Sequence, residues 1–157
     1  MHEVPAKNVF KHTVITPELC ESVRATSLEI IAKISDISTG EIAIGAELLK
    51  LKNEFGIYAK TKNISEVEVR KAFNEYVEVS FGFQPSRAYD YMTVANHEVV
   101  SKLSLSISSL VELARLEPDA LKSLLENCDE ADLKSLSFRE IKALVKSHNR
   151  RALKKEK

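Results

Sequence analysis

Residues 73–95, FNEYVEVSFGFQPSRAYDYMTVA, have the spacing of two short helices joined by a tight turn. Apolar residues recur at helical spacing on both sides of the break, at Val69, Phe73 and Val77 before it and at Ala88, Met92 and Ala95 after it. Gly82 is suited to end the first helix, and Pro85 is suited to begin the second. This pattern predicts a helix-turn-helix over residues 66–96.

The polar residues of the second predicted helix favour contact with duplex DNA, because residues near the start of such a helix meet base edges in the major groove. Arg87 is suited to pair with guanine or a phosphate, and Ser86 to donate to a phosphate. Gln84 and Asn96 are suited to read adenine or the DNA backbone. The predicted contacts in this helix are Gln84, Ser86, Arg87, Tyr89, Asp90, Thr93 and Asn96.

The rest of the chain also reads as helix, since glycine and proline are scarce and β-branched alternation is rare. We predict an all-α, multi-helix domain containing the helix-turn-helix, with an N-terminal helical arm and a basic C-terminal helix. The expected divisions are a flexible N-terminus over 1–15, a helix over 16–37 that is a possible dimerisation arm, a helical domain over 38–147 and a basic tail over 148–157.

The helix before the motif has start and stop signals. Ser38 and Glu41 have capping-box spacing, and Gly56 is predicted to end the helix that they begin. Residues 57–63 are then expected to form a polar connector. Ser65 and Glu68 repeat the capping-box spacing at the start of the motif.

The charge balance is neutral overall but uneven along the chain. The 157 residues carry 23 basic and 23 acidic side chains, whereas residues 138–157 carry eight basic and two acidic ones. Arg150 and Arg151 in this segment are predicted to attract DNA phosphates through counterion release. Between residues 65 and 96, however, five acids outnumber three bases, which favours the competing interpretation of a purely structural helical hairpin.

Residues 41–96 resemble a family of phage and prophage helical proteins that have a predicted helix-turn-helix and no settled function. The resemblance rests on EIAIGAELLKLKNEFG, FNEYVEVSFGF and SRAYDYMTVA. The best-matching positions are Gly45, Leu48, Leu49, Lys52, Phe73, Gly82, Phe83, Ser86, Ala88, Tyr91, Met92 and Ala95. This chain departs from the family by inserting residues 57–70 where a short glycine-histidine-glycine turn is usual.

Two downstream segments are similar to the helices that follow the helix-turn-helix in ParB-type partition proteins. They are ISSLVELARLEPDALKSLLE and LSFREIKALVK. In that family, these helices pack behind the DNA-reading unit. Neither the family's arginine-rich nucleotide-binding box nor its dimerising C-terminal domain is visible here, so the resemblance does not imply a full partition function.

The sequence offers little catalytic or metal-binding chemistry. His97-Glu98 begins like a zinc-protease helix, but Ser101 stands where the second histidine is needed. Cys20 and Cys128 are far apart and have no partnering motif, which favours reduced thiols over a disulfide or a zinc site. We therefore expect a protein that is not an enzyme and has no cofactor, metal or membrane span. Its expected location is the cytoplasm, with association with the nucleoid as a further expectation.

These observations predict a DNA-binding protein, either a transcriptional regulator or a nucleoid- or partition-associated factor. A homodimer is an expected form, since one helix-turn-helix contacts few base pairs. The alternative is a helical protein-protein interaction module or adaptor that does not bind DNA, with a protein partner held by the first helix or by the leucine-rich C-terminal helices.

Overall fold

Helices account for the regular secondary structure of residues 9–36 and 40–155, the part of the chain that the computed structural model describes, with side chains described as far as Asn149. No strand occurs in these residues, which confirms the all-α prediction. The chain divides into two compact units, residues 1–92 and residues 93–157. We refer to them as unit 1 and unit 2.

Unit 1 contains the first four helices and most of the fifth. They are α1 (Pro17–Ser22), α2 (Arg24–Ser35), α3 (Glu41–Thr61), α4 (Glu66–Phe81) and α5 (Pro85–Ala95). Unit 2 continues from the end of α5 through a 3-10 turn (Val100–Lys102) to α6 (Ile107–Ala114), α7 (Pro118–Asn127), α8 (Glu130–Lys134) and α9 (Phe138–Lys155). The segment expected to be one helix over 16–37 thus forms two, and most of the expected tail over 148–157 continues α9.

The core of unit 1 is built around aromatic rings from α3 and α4. Phe55 has no exposed surface and meets Phe73 and Tyr76 edge-on, with ring centroids 5.5 and 5.3 Å apart. Such edge-to-face pairs stabilise a fold beyond the apolar area that they bury. Tyr76 also shares a hydrogen bond of 2.7 Å with the buried hydroxyl of Ser27, which joins α4 to α2.

The segment before α1 is attached to α4. The Glu75 carboxylate accepts hydrogen bonds from the backbone amides of Lys11 and His12 at 2.5 and 3.0 Å. The Phe10 ring stacks on Tyr76 with centroids 5.3 Å apart. Of the N-terminus expected to be flexible over 1–15, residues 1–8 lie outside the described part, and residues 10–12 hold these fixed contacts.

The prediction that Gly56 ends α3 is wrong, because α3 continues to Thr61 and takes up most of the expected connector over 57–63. Phe55 and Ala59 are both buried, so packing holds the helix on either side of the glycine. The helix ends where Asn63 adopts a left-handed φ of 56° and the Ile64 amide donates to the Ala59 carbonyl at 2.8 Å. Gly40 occupies the N-cap position of α3, and the predicted cap Ser38 lies outside the described residues.

Around the predicted turn, α4 begins and ends, and α5 begins, at the residues that the sequence predicts. Ser65 caps α4 by accepting a hydrogen bond from the Glu68 amide at 3.3 Å. Gly82 ends α4 in the left-handed region with φ 77°, which a residue with a Cβ adopts only at a cost. Pro85 begins α5. The two helices and their short connection are therefore present, while their use as a helix-turn-helix stays a prediction.

The fold of unit 2 brings α9 against α6 and α7. Ile141 and Val145 of α9 are 1% and 3% exposed, and Leu124 of α7 has no exposed surface. Ser106 caps α6 by accepting a hydrogen bond from the Ser109 amide at 3.4 Å. One side of α9 is thus buried in the unit, which leaves its other side to the solvent.

Burial of Tyr76 gives the stability of the protein a predicted dependence on alkaline pH. Burial raises the pKa of the Tyr76 hydroxyl above its ordinary value of 10.0, and the hydrogen bond shared with Ser27 only partly opposes this. A raised pKa in the folded state means that the folded state favours the neutral phenol. The resulting stability is fully present below about pH 10, the unfolded value, and is lost as pH rises through the folded value.

We expect the free energy of unfolding, measured in urea at several pH values, to fall above about pH 10. Tyr76→Phe has no hydroxyl to ionise at this site, so its unfolding free energy should fall less steeply over the same range. Equal slopes for the parent and Tyr76→Phe would contradict the assignment of this pH dependence to Tyr76.

Candidate nucleic-acid interface

The residues predicted to contact DNA do not all share one environment. Five of them are exposed: Gln84, Ser86, Arg87, Thr93 and Asn96. Tyr89 and Asp90 are partly buried. The exposed members give α5 and its flanks a polar surface with a single positive charge.

Arg87 is held against its own helix. Its Nε donates a hydrogen bond of 2.7 Å to the Tyr91 hydroxyl, and its guanidinium carbon lies 5.5 Å from the Tyr91 ring centroid. Tyr91 is itself buried, at 2% exposed. A bidentate pair with guanine uses two of the five guanidinium donors, so the Nε bond to Tyr91 orients Arg87 and does not itself occupy the two Nη groups.

Tyr89 faces the interior side of α5, toward α3 and α4. Its ring meets the Phe73 ring edge-on at 6.4 Å between centroids, and the Lys52 ammonium lies 5.2 Å from the Tyr89 centroid. Burial raises the pKa of the Tyr89 hydroxyl, and the positive charge of Arg70 works against that rise. The structure therefore separates Tyr89 from the exposed polar residues of the same helix.

Some of the acidic side chains of α4 are bound by other groups of the protein, and others are exposed and would repel a phosphate. Glu75 accepts the amides of the N-terminal segment, and Glu68 lies 3.0 Å from His12 Nε2. Glu66 and Glu78 are exposed and form no ion pair with another described residue. Unit 1 thus keeps negative charge on α4, which is unfavourable close to a polyanion.

α9 presents the strongest positive surface among the described helices. Arg139, Lys142 and Lys146 are exposed along one side of α9, next to the side that carries the buried Ile141 and Val145, at helical spacings of three and four residues. None of the three forms an ion pair with a described residue, although the Lys142 ammonium lies 6.0 Å from the Phe138 ring centroid. We call these three residues the basic face.

The one acid within α9 is committed to the start of the helix. Glu140 Oε1 accepts a hydrogen bond from the Ser137 amide at 3.1 Å, and Ser137 Oγ accepts one from the Glu140 amide at 3.2 Å. This reciprocal cap satisfies two backbone donors that the helix leaves open. Because Glu140 is held there, no carboxylate of α9 lies between the cations of the basic face.

The side chains of the predicted contacts Arg150 and Arg151 lie outside the described part of the structure. The helical backbone nevertheless continues through both positions to Lys155. Position 150 comes eleven residues after Arg139, which is close to three helical turns, so it repeats the register of the basic face. Position 151 lies one residue farther around the helix.

Metal and thiol chemistry have little support in the described residues. No three His, Cys, Asp or Glu side chains among them lie close enough together to hold a metal ion. Cys20 and Cys128 are free thiols, and burial raises the pKa of Cys20, which disfavours its reactive thiolate. None of the helices in residues 9–36 and 40–155 has the length and apolar character needed to cross a bilayer.

No family model, curated protein or solved structure matches the chain significantly. The resemblances to the phage helical family and to ParB-type partition proteins therefore stay predictions from sequence. The physical properties of α5 and α9 are what bear on function in this chain.

The structure contains a groove beside Tyr89 that the sequence does not predict. It lies among α3, α4 and α5 and has a volume of about 410 Å³. Its lining includes Lys52, Gly56 and Arg70, which are separated along the sequence and share no motif. The one available signal in the sequence is that helical periodicity places Tyr89 at the boundary between the inward and outward faces of its helix.

Proposed function

We propose that this protein binds duplex DNA through the basic face of α9, with the exposed polar residues of α5 as a second contact. The observation that carries the proposal is that Arg139, Lys142 and Lys146 are exposed, regularly spaced and free of ion pairs among the described residues. Phosphate contacts of this kind supply most of the affinity of non-specific DNA binding, because each releases a condensed counterion.

The two proposed contacts differ in what they read. The basic face recognises phosphate charge and carries no base information. Gln84, Ser86 and Arg87 lie at the start of α5 and are exposed, as base-reading residues have to be. Since α9 carries three exposed cations and the exposed polar residues of α5 include one, sequence-independent attraction is the stronger contribution, which favours a nucleoid- or partition-associated factor over a highly selective transcriptional regulator.

The proposal is tested by fluorescence anisotropy of a labelled, mixed-sequence duplex at salt concentrations between about 50 and 200 mM. We expect the parent to bind with a steep salt dependence. Replacing Arg139, Lys142 and Lys146 together by alanine should weaken binding by about 10²-fold near 0.1 M salt. The slope of log affinity against log salt should become shallower by about 2.7, since each phosphate contact contributes about 0.9.

Two further variants serve as comparisons. Replacing Lys50, Lys60 and Lys71, which are exposed in unit 1, removes the same number of charges and should change affinity little. Replacing Gln84, Ser86 and Arg87 by alanine tests the second contact. This change should reduce the differences in affinity between duplex sequences, and it should have a smaller effect on the salt dependence of binding. An equal loss in the Lys50, Lys60 and Lys71 variant would contradict the role of the basic face.

Absence of duplex binding at low salt, with the helical circular dichroism of the parent intact, would overturn the DNA proposal. The alternative function, a helical protein-protein interaction module, would then be the better assignment.

A further inference from the structure

The groove in unit 1 has an aromatic floor. Phe55 and Phe73 line it from α3 and α4, and both are almost fully buried, at 0% and 2% exposed. Tyr89 of α5 closes one side and keeps part of its ring accessible. A planar ring that enters the groove therefore meets the accessible part of the Tyr89 ring, because Phe55 and Phe73 leave almost no surface exposed.

Two cations, Lys52 and Arg70, also line the groove. Lys52 lies on α3 with its ammonium 5.2 Å from the Tyr89 centroid. Arg70 lies on α4, and its charge reaches the Tyr89 hydroxyl closely enough to affect that group's pKa. Both side chains line the groove, both are exposed, and neither forms an ion pair with a described residue. The acid in the lining is Glu66, so the lining has one positive charge in excess.

Gly56 keeps the groove open. It lies within α3, where glycine is less favourable than alanine because it loses more backbone freedom on folding. Neither close packing nor backbone conformation demands it, because an added Cβ meets no atom within 4 Å and φ is not positive. The missing side chain instead leaves space at the wall of the groove, which Gly56 lines. A residue that weakens its helix and is not required for packing is expected at a functional site, where local folding rules are most often broken.

We propose that this groove binds a small planar aromatic anion, with its ring against Tyr89 and its negative group between Lys52 and Arg70. The volume of about 410 Å³ falls within the range of small-molecule sites, which are mostly apolar and carry a few polar groups that fix orientation. Aromatic carboxylates and nucleoside monophosphates share this chemistry. The site is independent of the DNA contact proposed above.

Two fluorescent probes test the site in the full chain. Anilinonaphthalene sulfonate is an aromatic anion, and phenylnaphthylamine has the same ring system without the sulfonate. The protein has no tryptophan, so probe emission is measured without that background. We expect the anionic probe to bind more tightly than the neutral one. Replacing Lys52 and Arg70 together by methionine should weaken the anionic probe by about tenfold or more and leave the neutral probe within about twofold.

Gly56→Leu tests the location. The leucine side chain would extend into the open space of the groove, so this substitution should abolish binding of both probes at this site. Because leucine is a far better helix former than glycine, the Tm of this variant should be equal to or higher than that of the parent. Loss of binding then reports blockage of the groove rather than unfolding. Lys50→Met with Lys60→Met removes two exposed lysines of α3 outside the groove, and should leave both probes unaffected.

Displacement of the anionic probe distinguishes the two ligand sources. Displacement by benzoate and larger aromatic carboxylates supports a carboxylate ligand, and displacement by nucleoside monophosphates supports a phosphate ligand. Displacement by neither would overturn the proposal, as would probe binding that persists in Gly56→Leu. DNA binding by the basic face is measured separately by anisotropy, so failure at either site is recognised on its own.

Discussion

Phe55→Ala is expected to lower the free energy of unfolding by about 3–5 kcal/mol, the range measured for removal of a buried phenylalanine ring. Phe55 has no exposed surface, and its ring is the common partner of the edge-to-face contacts to Phe73 and Tyr76. Alanine leaves a cavity where three helices meet, since α2 is joined to the same cluster through Ser27 and Tyr76. A loss of this size is a large fraction of the 5–15 kcal/mol that typically separates folded from unfolded states.

Urea denaturation followed by circular dichroism measures this effect. Ile57→Ala is the matched control, because Ile57 lies on the same helix two residues later and is 58% exposed. It should change the unfolding free energy by less than about 0.5 kcal/mol, as surface substitutions usually do. If the two variants lost similar stability, Phe55 would not be the centre of the unit 1 core.

Ile141→Asp is expected to destabilise unit 2 by more than about 4 kcal/mol. Ile141 is 1% exposed and lies on the side of α9 that packs within the unit. The substitution removes apolar contacts and also places a carboxylate where water is excluded. We expect α9 to detach, with loss of part of the helical signal and of tight duplex binding.

Ala143→Asp is the control for this second change. It introduces the same carboxylate two residues later, at an exposed position of α9. It should leave the denaturation midpoint close to that of the parent and weaken duplex binding only modestly through its charge. Equal denaturation midpoints for Ile141→Asp and Ala143→Asp would contradict the packing of α9 through Ile141.

Local signals in the sequence predicted the helix ends well where a single residue decides the conformation. Gly82 in the left-handed region, Ser65 at the cap of α4 and Pro85 at the start of α5 are such cases. Each acts within one turn of the backbone, so its effect is legible without knowing what packs nearby. The all-α class followed from the same local logic.

Gly56 shows why local signals fail elsewhere. A glycine after an apolar stripe commonly marks a helix end, but burial of Phe55 and Ala59 on one face outweighs the helix cost of one glycine. The division into two units was equally hidden, because it depends on which helices pack together rather than on a linker composition.

The candidate sites were predictable to different extents. The charge of α9 is visible in the sequence, and the capping-box spacing of Ser137 and Glu140 predicts the cap that holds Glu140. The groove required Lys52, Arg70 and Tyr89 to be brought together from three helices, and no spacing rule connects residues so far apart. Helical periodicity alone groups Tyr89 with the exposed polar residues of α5. It does not show that residues of α3 and α4 pack against the edge of that face.

The attachment of the N-terminal segment to α4 has a consequence during protein synthesis. Lys11 and His12 leave the ribosome 64 and 63 residues before Glu75, the carboxylate that holds them. At translation rates of about 5–20 residues per second, that interval is roughly 3–13 s. Throughout it, the Phe10 ring has no Tyr76 to stack on, so residues made early reach their places only after α4 has been made. A nascent chain stalled before α4 would therefore offer chaperones an exposed aromatic ring.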